Sequence, residues 1–237
     1  MRQLSIAALL MASSLFAATD EQIISYFKAQ VPENITISVT ERQKIEGHEG
    51  FDMVQASLSD GTQSQDITLF VKDGLMFPDI IELDSGVSMK QALEQSQIEK
   101  NLAKIYKQED SKNIISLGND SGKKTLVVFS DPECPYCRSE LENVEKRLEE
   151  VNIKMILTPV HDKSSLEKSH LIYKETTSAK NDSEKIKILK KYFDENINIE
   201  EKVSEDAVSN MHKLRRKYLQ GGLRGVPFMV EESVLLK

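Results

Sequence analysis

The chain contains two cysteines, and both lie in one short segment, Cys134-Pro135-Tyr136-Cys137. A spacing of two residues lets both sulfurs meet across one helical turn. If a helix begins at Cys134, its free backbone N–H groups and positive dipole end stabilise the Cys134 thiolate, which is the reactive form. Pro135 suits the first helical turn, where its missing N–H costs little. The segment therefore predicts a redox-active pair, with Cys134 as nucleophile and Cys137, one turn deeper, as the thiol that resolves the mixed disulfide.

The sequence around the cysteines predicts the elements that would position them. Residues 125–130 form a near-continuous apolar run, which is typical of a strand buried on both faces. The segment 131–133 breaks this run. Apolar residues then recur at the spacing of one helix face, namely Cys137, Leu141, Val144 and Leu148. We therefore predict a buried strand, a short loop and an amphipathic helix that begins at or near Cys134, followed by a second strand over residues 152–159.

A static structural pair and a zinc site are the other interpretations of the two cysteines. Static disulfides usually close longer loops. A zinc site needs further ligands beside the cysteines, and the four histidines show no close metal-ligand spacing: His48, His161, His170 and His212. We predict no metal and no organic cofactor. His161, which follows the second strand, could approach the cysteines, and we interpret the other histidines as surface or satisfied polar residues.

Two acidic residues, Asp131 and Glu133, stand directly before Cys134. A carboxylate that faced the sulfur would oppose thiolate formation, because like charges repel. We interpret both side chains as solvated, with helix capping as the alternative for Asp131.

The N-terminus indicates the compartment. Arg2 precedes an apolar stretch over residues 4–16, and Ala17 and Ala18 follow it. This pattern predicts a cleavable secretory signal over residues 1–17, since the stretch is too short for a bilayer span of about 20 residues, with a retained N-terminal anchor as the alternative. No cysteine follows the stretch, which excludes a lipoprotein. We expect the mature chain to be exported, most plainly to the periplasm, where disulfides form.

Composition and charge exclude some classes of partner. Hydrophobic residues make up 39% and charged residues 29% of the 237 residues, as in ordinary globular proteins. Thirty-one Lys and Arg against 38 Asp and Glu give a net charge of -7, without a basic block. A nucleic-acid partner is therefore not expected, since binding phosphates needs a positive surface.

The rest of the chain reads as two domains joined by a helix. Residues 18–87 predict one short helix, over residues 20–28, and strands over residues 35–39, 51–54 and 66–71. Residues 88–110 predict a linker helix whose buried stripe is Met89, Leu93, Leu102 and Ile105. Residues 164–220 are helical and highly charged, and residues 228–230 and 234–236 predict two short strands.

These patterns together resemble the DsbC/DsbG family of periplasmic disulfide isomerases. The run over residues 129–137 resembles that family's active-site segment, and residues 69–74 with residues 77–79 resemble its dimerisation domain. The resemblance implies an α+β protein with a small, cystatin-like antiparallel-sheet dimerisation domain over residues 18–87. It further implies the linker helix, a thioredoxin fold with a helical insertion over residues 111–237, and a V-shaped homodimer.

The resemblance also implies roles for single residues and for partners. Cys134 corresponds to an exposed nucleophile and Cys137 to the resolving thiol, with Pro135 and Tyr136 between them. Val226 and Pro227 match the family's cis-proline loop, which packs beside the sulfurs and contacts substrate. The substrates would be exported proteins that contain cysteines, and a membrane redox partner would recharge the pair.

Three features of the chain, compared with this family and its relatives, keep alternatives open. Val226 stands where the isomerases usually carry threonine and resembles the DsbA-like oxidases. Val128 stands where thioredoxin and DsbA carry a buried acid. In this respect the chain resembles the isomerases. The usual C-terminal helix is missing, because the sequence stops at Lys237. We favour a disulfide isomerase, with a DsbA-like dithiol oxidase or a dimeric periplasmic chaperone as alternatives.

Overall fold

The computed structural model describes residues 18–197, 199 and 201–237. The chain forms two compact units, one that reaches Glu94 and one from Gln95 to Lys237. The signal predicted over residues 1–17 lies outside the described residues. Within the described part of the chain, no helix is long and apolar enough to cross a membrane.

The N-terminal unit is a four-stranded antiparallel sheet with one helix. Its elements are α1 (Asp20–Lys28), β1 (Thr36–Lys44), β2 (Asp52–Ser59), β3 (Ser64–Lys72), β4 (Leu75–Phe77), β5 (Ile81–Glu82) and β6 (Val87–Ser88). The first four strands pair in the order β1-β2-β3-β4, and β5 pairs with β6. The predicted helix and the three predicted strands are confirmed, although each strand is longer than its apolar run.

Helix α1 closes one face of this sheet. Thr19 and Gln22 form a capping box at its start, which satisfies backbone N–H groups that a helix end leaves free. Ile23 then packs in a small core with Val54, Leu69 and Val71. The core of this unit is small for its length, as expected for a domain of about 70 residues.

Helix α2 (Met89–Tyr106) follows, where the linker helix was predicted. Of the predicted stripe, Leu102 is fully buried and the other members are partly buried. Tyr106, which the prediction omitted, is also buried in the core of the C-terminal unit. The helix therefore contributes its last turns to that core.

The C-terminal unit is a four-stranded sheet with helices on both faces. Its strands are β7 (Ile115–Leu117), β8 (Lys124–Ser130), β9 (Val151–Leu157) and β10 (Phe228–Glu231), and its helices are α3 (Pro135–Glu142), α4 (Val144–Leu148), α5 (Lys163–Thr176), α6 (Asp182–Phe193), α7 (Glu205–Gln220) and α8 (Glu232–Leu235). The strand order is β10-β8-β9-β7. Strands β8 and β9 are parallel, and the two edge strands are antiparallel to their neighbours.

Strand β8 is covered on both faces, as its apolar run predicted. Side chains alternate along a strand, so Val128 and Phe129 face opposite sides of the sheet. Val128 lies with Cys137 and Leu141 around one small cavity. Phe129 packs on Tyr218 of α7, with ring centroids 4.9 Å apart. Helices α3 and α4 therefore cover one face of the sheet and α7 covers the other.

Two local predictions are wrong. The helix predicted from Cys134 to Leu148 is interrupted at Asn143, whose N–H bonds the carbonyls of Glu140 and Leu141 and so ends α3. The strand predicted over residues 234–236 is the helical turn α8. Strand β10 already forms this edge of the sheet, so residues 234–236 have no neighbouring strand to pair with. They form a helical turn that buries Leu235 in the core instead.

Candidate active site

Cys134 stands at the junction between strand β8 and helix α3. It is the N-cap of α3, with extended backbone angles of φ -75° and ψ 122°, and Pro135 occupies the first helical position. No side chain caps this helix end. The free N–H groups and the positive end of the helix therefore lie next to the sulfur, as the sequence predicted.

The expectation of an exposed nucleophile is wrong. Cys134 is only 5% exposed, and Cys137 is 1% exposed. The Cys134 thiol donates a hydrogen bond to the Val226 carbonyl at 3.5 Å, so the loop before β10 covers it. Tyr136, by contrast, is 76% exposed. The loop that carries Val226 covers Cys134, so a substrate can reach the sulfur only if this loop leaves room for it.

The Val226–Pro227 peptide bond is cis, as the resemblance implied. Strand β10 begins directly afterwards, and its Phe228 pairs with Phe129 of β8. This register places the cis bond beside the loop that links β8 to Cys134. The sheet thereby brings together two segments that are 92 residues apart in sequence.

Cys137 is a buried thiol in this structure, which has both cysteines free. Burial raises its pKa to about 12, and the nearby Cys134 contributes in the same direction. The nearby Ser130 hydroxyl and Asp131 backbone N–H oppose this rise. Cys137 is therefore protonated at neutral pH, and its thiolate is stabilised by these two donors once it forms.

Asp131 is fully buried, which corrects the interpretation of a solvated side chain. Burial by itself raises its pKa, but hydrogen bonds hold the pKa below the ordinary value. The Ser165 hydroxyl and the Glu133 N–H donate to one carboxylate oxygen. The other oxygen accepts the Val160 N–H at 2.7 Å and contacts the His161 Nδ1 at 2.7 Å. Asp131 thus joins the loop before Cys134 to the loop after β9, instead of capping α3.

Glu133 is held by a second contact from α5. The Lys168 Nζ lies 3.1 Å from a Glu133 carboxylate oxygen, and the Lys168 side chain is 8% exposed. Both acidic residues before Cys134 therefore have partners that offset their negative charge. Their opposition to a Cys134 thiolate is weaker than free carboxylates would produce.

The structure brings together the predicted site residues and adds three that the sequence analysis missed. Cys134 contacts the carbonyl of Val226, which forms the cis peptide bond with Pro227. His161 contacts the Asp131 carboxylate in the loop before Cys134. Ser130, Ser165 and Lys168 were not predicted. A signal was present for the last two, because polar residues three positions apart share the buried side of α5.

Within the described residues, no cluster of three or more potential metal ligands exists. Val128, at the position discussed above for a buried acid, is itself buried and apolar. The polar groups near Cys137 are therefore the Ser130 hydroxyl and the Asp131 backbone N–H, while Val128 contributes only an apolar side chain.

Comparisons with known proteins agree with this architecture. Residues 113–230 match a family model described as a thioredoxin-like domain. The structure of DsbG from Helicobacter pylori aligns with a TM-score of 0.54 and 22% identity, over 89% of this chain and 99% of that chain. A ScsC variant from Proteus mirabilis aligns with a TM-score of 0.42 and 16% identity, over 60% of this chain and 77% of that chain. A disulfide interchange protein from Neisseria gonorrhoeae gives a TM-score of 0.38 and 19% identity, over 52% of this chain and 81% of that chain.

The comparison with curated proteins found no match. The likeness to DsbG shows the fold, an α+β chain with an N-terminal antiparallel sheet and a C-terminal thioredoxin-like domain. The predicted fold class is therefore confirmed.

Proposed function

We propose that this chain, whose residues 113–230 belong to the thioredoxin-like domain family, is a thiol–disulfide oxidoreductase that acts as a disulfide isomerase on exported proteins. One observation carries the proposal: Cys134 lies at the uncapped start of α3 with its sulfur against the carbonyl of Val226. A nucleophilic thiolate and a backbone segment beside it are the parts that thiol–disulfide exchange on a polypeptide needs.

The exchange runs in balanced steps. The Cys134 thiolate attacks one sulfur of a wrong substrate disulfide, forms a mixed disulfide and releases the other sulfur as a substrate thiolate. In isomerisation, a substrate thiolate attacks the mixed disulfide, forms a new substrate disulfide and returns the Cys134 thiolate. In reduction, Cys137 attacks instead, which leaves a Cys134–Cys137 disulfide and a reduced substrate.

The environment of Cys137 favours isomerisation. Its raised pKa keeps nearly all of it protonated at neutral pH, so its attack on the mixed disulfide is slow. The substrate then has more time to rearrange before Cys137 releases it. Val226 supports the alternative of a dithiol oxidase, since it departs from the threonine of the isomerases.

The compartment and partners follow from the same proposal. The N-terminal pattern over residues 1–17 supports export to the periplasm, where substrates with disulfides are found. Isomerisation needs a reduced Cys134, so a membrane redox partner would supply electrons to the pair. The N-terminal unit would join two copies into a homodimer, because it leaves Leu75, Ile81, Leu83 and Val87 exposed.

The test compares two starting states of ribonuclease. The reduced mature protein should restore activity to scrambled, fully oxidised ribonuclease, and Cys134→Ser should abolish this recovery. Cys137→Ser should accumulate mixed disulfides with the substrate. Oxidation of fully reduced ribonuclease without recovery of the scrambled form would show an oxidase, and failure to trap any mixed disulfide would overturn the assigned order of the cysteines.

A chaperone function is tested separately. A Cys134→Ala, Cys137→Ala double variant cannot exchange thiols, and it should keep the fold because each substitution removes only one buried sulfur. Suppression of the aggregation of a cysteine-free client by this variant would support the chaperone alternative. Loss of all activity would leave thiol exchange as the function.

A further inference from the structure

A cavity of about 610 Å³ lies between helix α7 and the loop that joins β9 to α5. We refer to it as the α7 cavity. Arg215, Arg216 and His212 of α7 line one side, and His161 and Lys163 line the other. Its lining is thus rich in basic side chains, although the whole chain carries a net charge of -7.

The charges in the α7 cavity are only partly balanced. Lys163 is paired with Glu205 at 2.7 Å. Arg215 and Arg216 have no carboxylate partner among the residues that the structure describes, and Arg215 is half-buried. Asp162 supplies the remaining acidic side chain of the lining. Two guanidinium groups against one carboxylate leave the cavity positive, which favours an anionic ligand.

The α7 cavity is connected to the nucleophile by successive hydrogen bonds. The Arg215 Nη1 donates to the His161 carbonyl at 3.3 Å, and the His161 Nδ1 lies 2.7 Å from the Asp131 carboxylate. The Asp131 carbonyl accepts the Cys134 N–H at 3.2 Å. Three contacts therefore link Arg215 to the loop before Cys134.

We propose that the α7 cavity binds acidic side chains of the polypeptide substrate while its cysteine reacts with Cys134. The inference rests on the proposed function and adds a substrate class: exported proteins with Asp or Glu near the reacting cysteine. The guanidinium groups of Arg215 and Arg216 form charge-assisted, two-pronged hydrogen bonds to carboxylates, which a lysine cannot reproduce. A polypeptide is the favoured occupant because the proposed function acts on polypeptides, and because the contacts of Arg215 with His161 and of His161 with Asp131 link the cavity to the loop before Cys134.

The first experiment measures the preference between two peptides. Each carries one cysteine in a mixed disulfide with a small thiol, flanked either by Glu residues or by Gln residues. The full mature protein should exchange with the acidic peptide about fivefold to tenfold faster at low salt, and high salt should reduce the preference. Arg215→Gln should remove most of this preference, and Arg215→Lys should restore only part of it.

Lys213→Gln is the matched control. Lys213 lies two positions from Arg215 on the same helix and outside the α7 cavity, and its substitution changes the net charge equally. The control should keep the full preference for the acidic peptide. Equal loss in Arg215→Gln and Lys213→Gln would show a general charge effect, and absence of any preference in the wild type would likewise overturn the proposal.

A binding measurement separates this proposal from the proposed function. Peptides with Ser in place of Cys bind without exchange, and fluorescence anisotropy reports their affinity. Tighter binding of the acidic peptide, lost in Arg215→Gln, supports the α7 cavity even if the protein exchanges no disulfide. Equal affinity for both peptides overturns it even if the exchange assay succeeds.

Discussion

Protonation of Cys137 controls how long a substrate stays bound in the proposed reaction. Its pKa is raised to about 12 because the side chain is buried, and only the thiolate can attack the mixed disulfide. As long as the pH is below the pKa, the thiolate fraction increases about tenfold for each unit by which the pH is raised. We therefore expect the release of a trapped substrate to accelerate up to about tenfold per pH unit above pH 7, as measured by acid quench and gel separation.

Two variants check this expectation. Ser130→Ala removes the hydroxyl that lowers the pKa of Cys137, so release at pH 7 should slow by about threefold to tenfold. Ser116→Ala removes an exposed hydroxyl from β7 and should leave release unchanged. A release rate that is flat between pH 7 and pH 9 would contradict the role of Cys137 protonation.

Asp131 links the stability of the site to pH. Hydrogen bonds hold its folded-state pKa below the ordinary value, despite the opposing effect of burial. The carboxylate therefore stabilises the fold above its unfolded pKa of about 3.9, and this contribution is lost as the pH falls through the lower folded pKa.

The matching prediction concerns Asp131→Asn. It should lower the free energy of unfolding by about 2–4 kcal/mol at pH 7, because several buried donors lose an ionised acceptor. The difference from wild type should shrink as the pH falls through the folded pKa, which urea titrations at neutral and acidic pH would measure. An equal difference at both pH values would mean that the charge of Asp131 contributes nothing.

Helix α5 holds the loop before Cys134 in place. Ser165 binds Asp131 and Lys168 binds Glu133, so two side chains one turn apart hold both acidic residues before Cys134. This arrangement weakens the opposition of the acidic segment to the thiolate that we propose at Cys134. Ser165 lies 31 residues after Cys134 in the sequence, so only the fold brings the two segments together.

A double-mutant cycle tests the contact between Lys168 and Glu133. Lys168→Met leaves the Glu133 carboxylate without its partner and should cost about 1–3 kcal/mol of unfolding free energy, less than a fully buried pair because Glu133 keeps some solvent. Glu133→Gln combined with Lys168→Met should recover part of that loss. Additive effects of the two substitutions would show that the pair is not coupled.

The elements near the cysteines were predictable because each has a local signal. The apolar run of β8 and the spacing from Cys137 to Leu141 need no information from distant residues. The burial of Asp131 was not predictable, since Ser165 and Val160 reach it only through the fold. Helix α8 was mistaken for a strand because β-branched and aliphatic residues favour strands only where an edge is free to pair.

The helix and three strands of the N-terminal unit were predicted from the sequence. The role that we propose for this unit, association of two copies, concerns the whole molecule. Its core is small, with Ile23, Val54 and Val71 among its few fully buried apolar side chains. Several apolar side chains stay exposed instead, and Leu83 is 92% exposed. A unit that buries so little and exposes so much apolar surface is expected to gain stability from a partner surface.

Self-association through this unit is tested with Leu75→Asp combined with Leu83→Asp. In a symmetric dimer each substitution acts twice, and each buried leucine contributes about 1.5–3 kcal/mol. The dissociation constant should therefore rise by at least about a hundredfold, as measured by sedimentation velocity. Leu236→Asp, at an exposed leucine of the C-terminal unit, is the matched control and should leave the dimer intact.

The activity of the dissociated variant separates the isomerase from the oxidase. A single thioredoxin-like domain has everything needed to oxidise a reduced substrate, because that reaction uses only the cysteine pair. Rearrangement needs a substrate to remain bound between successive exchanges, which two sites in one dimer favour by raising the effective concentration. The double variant should therefore keep oxidation of reduced ribonuclease while recovery of the scrambled form falls severalfold. Full recovery of scrambled ribonuclease by the monomeric variant would contradict the proposed dimeric isomerase, because the cysteine pair of one chain would then suffice. A wild-type protein that sediments as a monomer would contradict it as well.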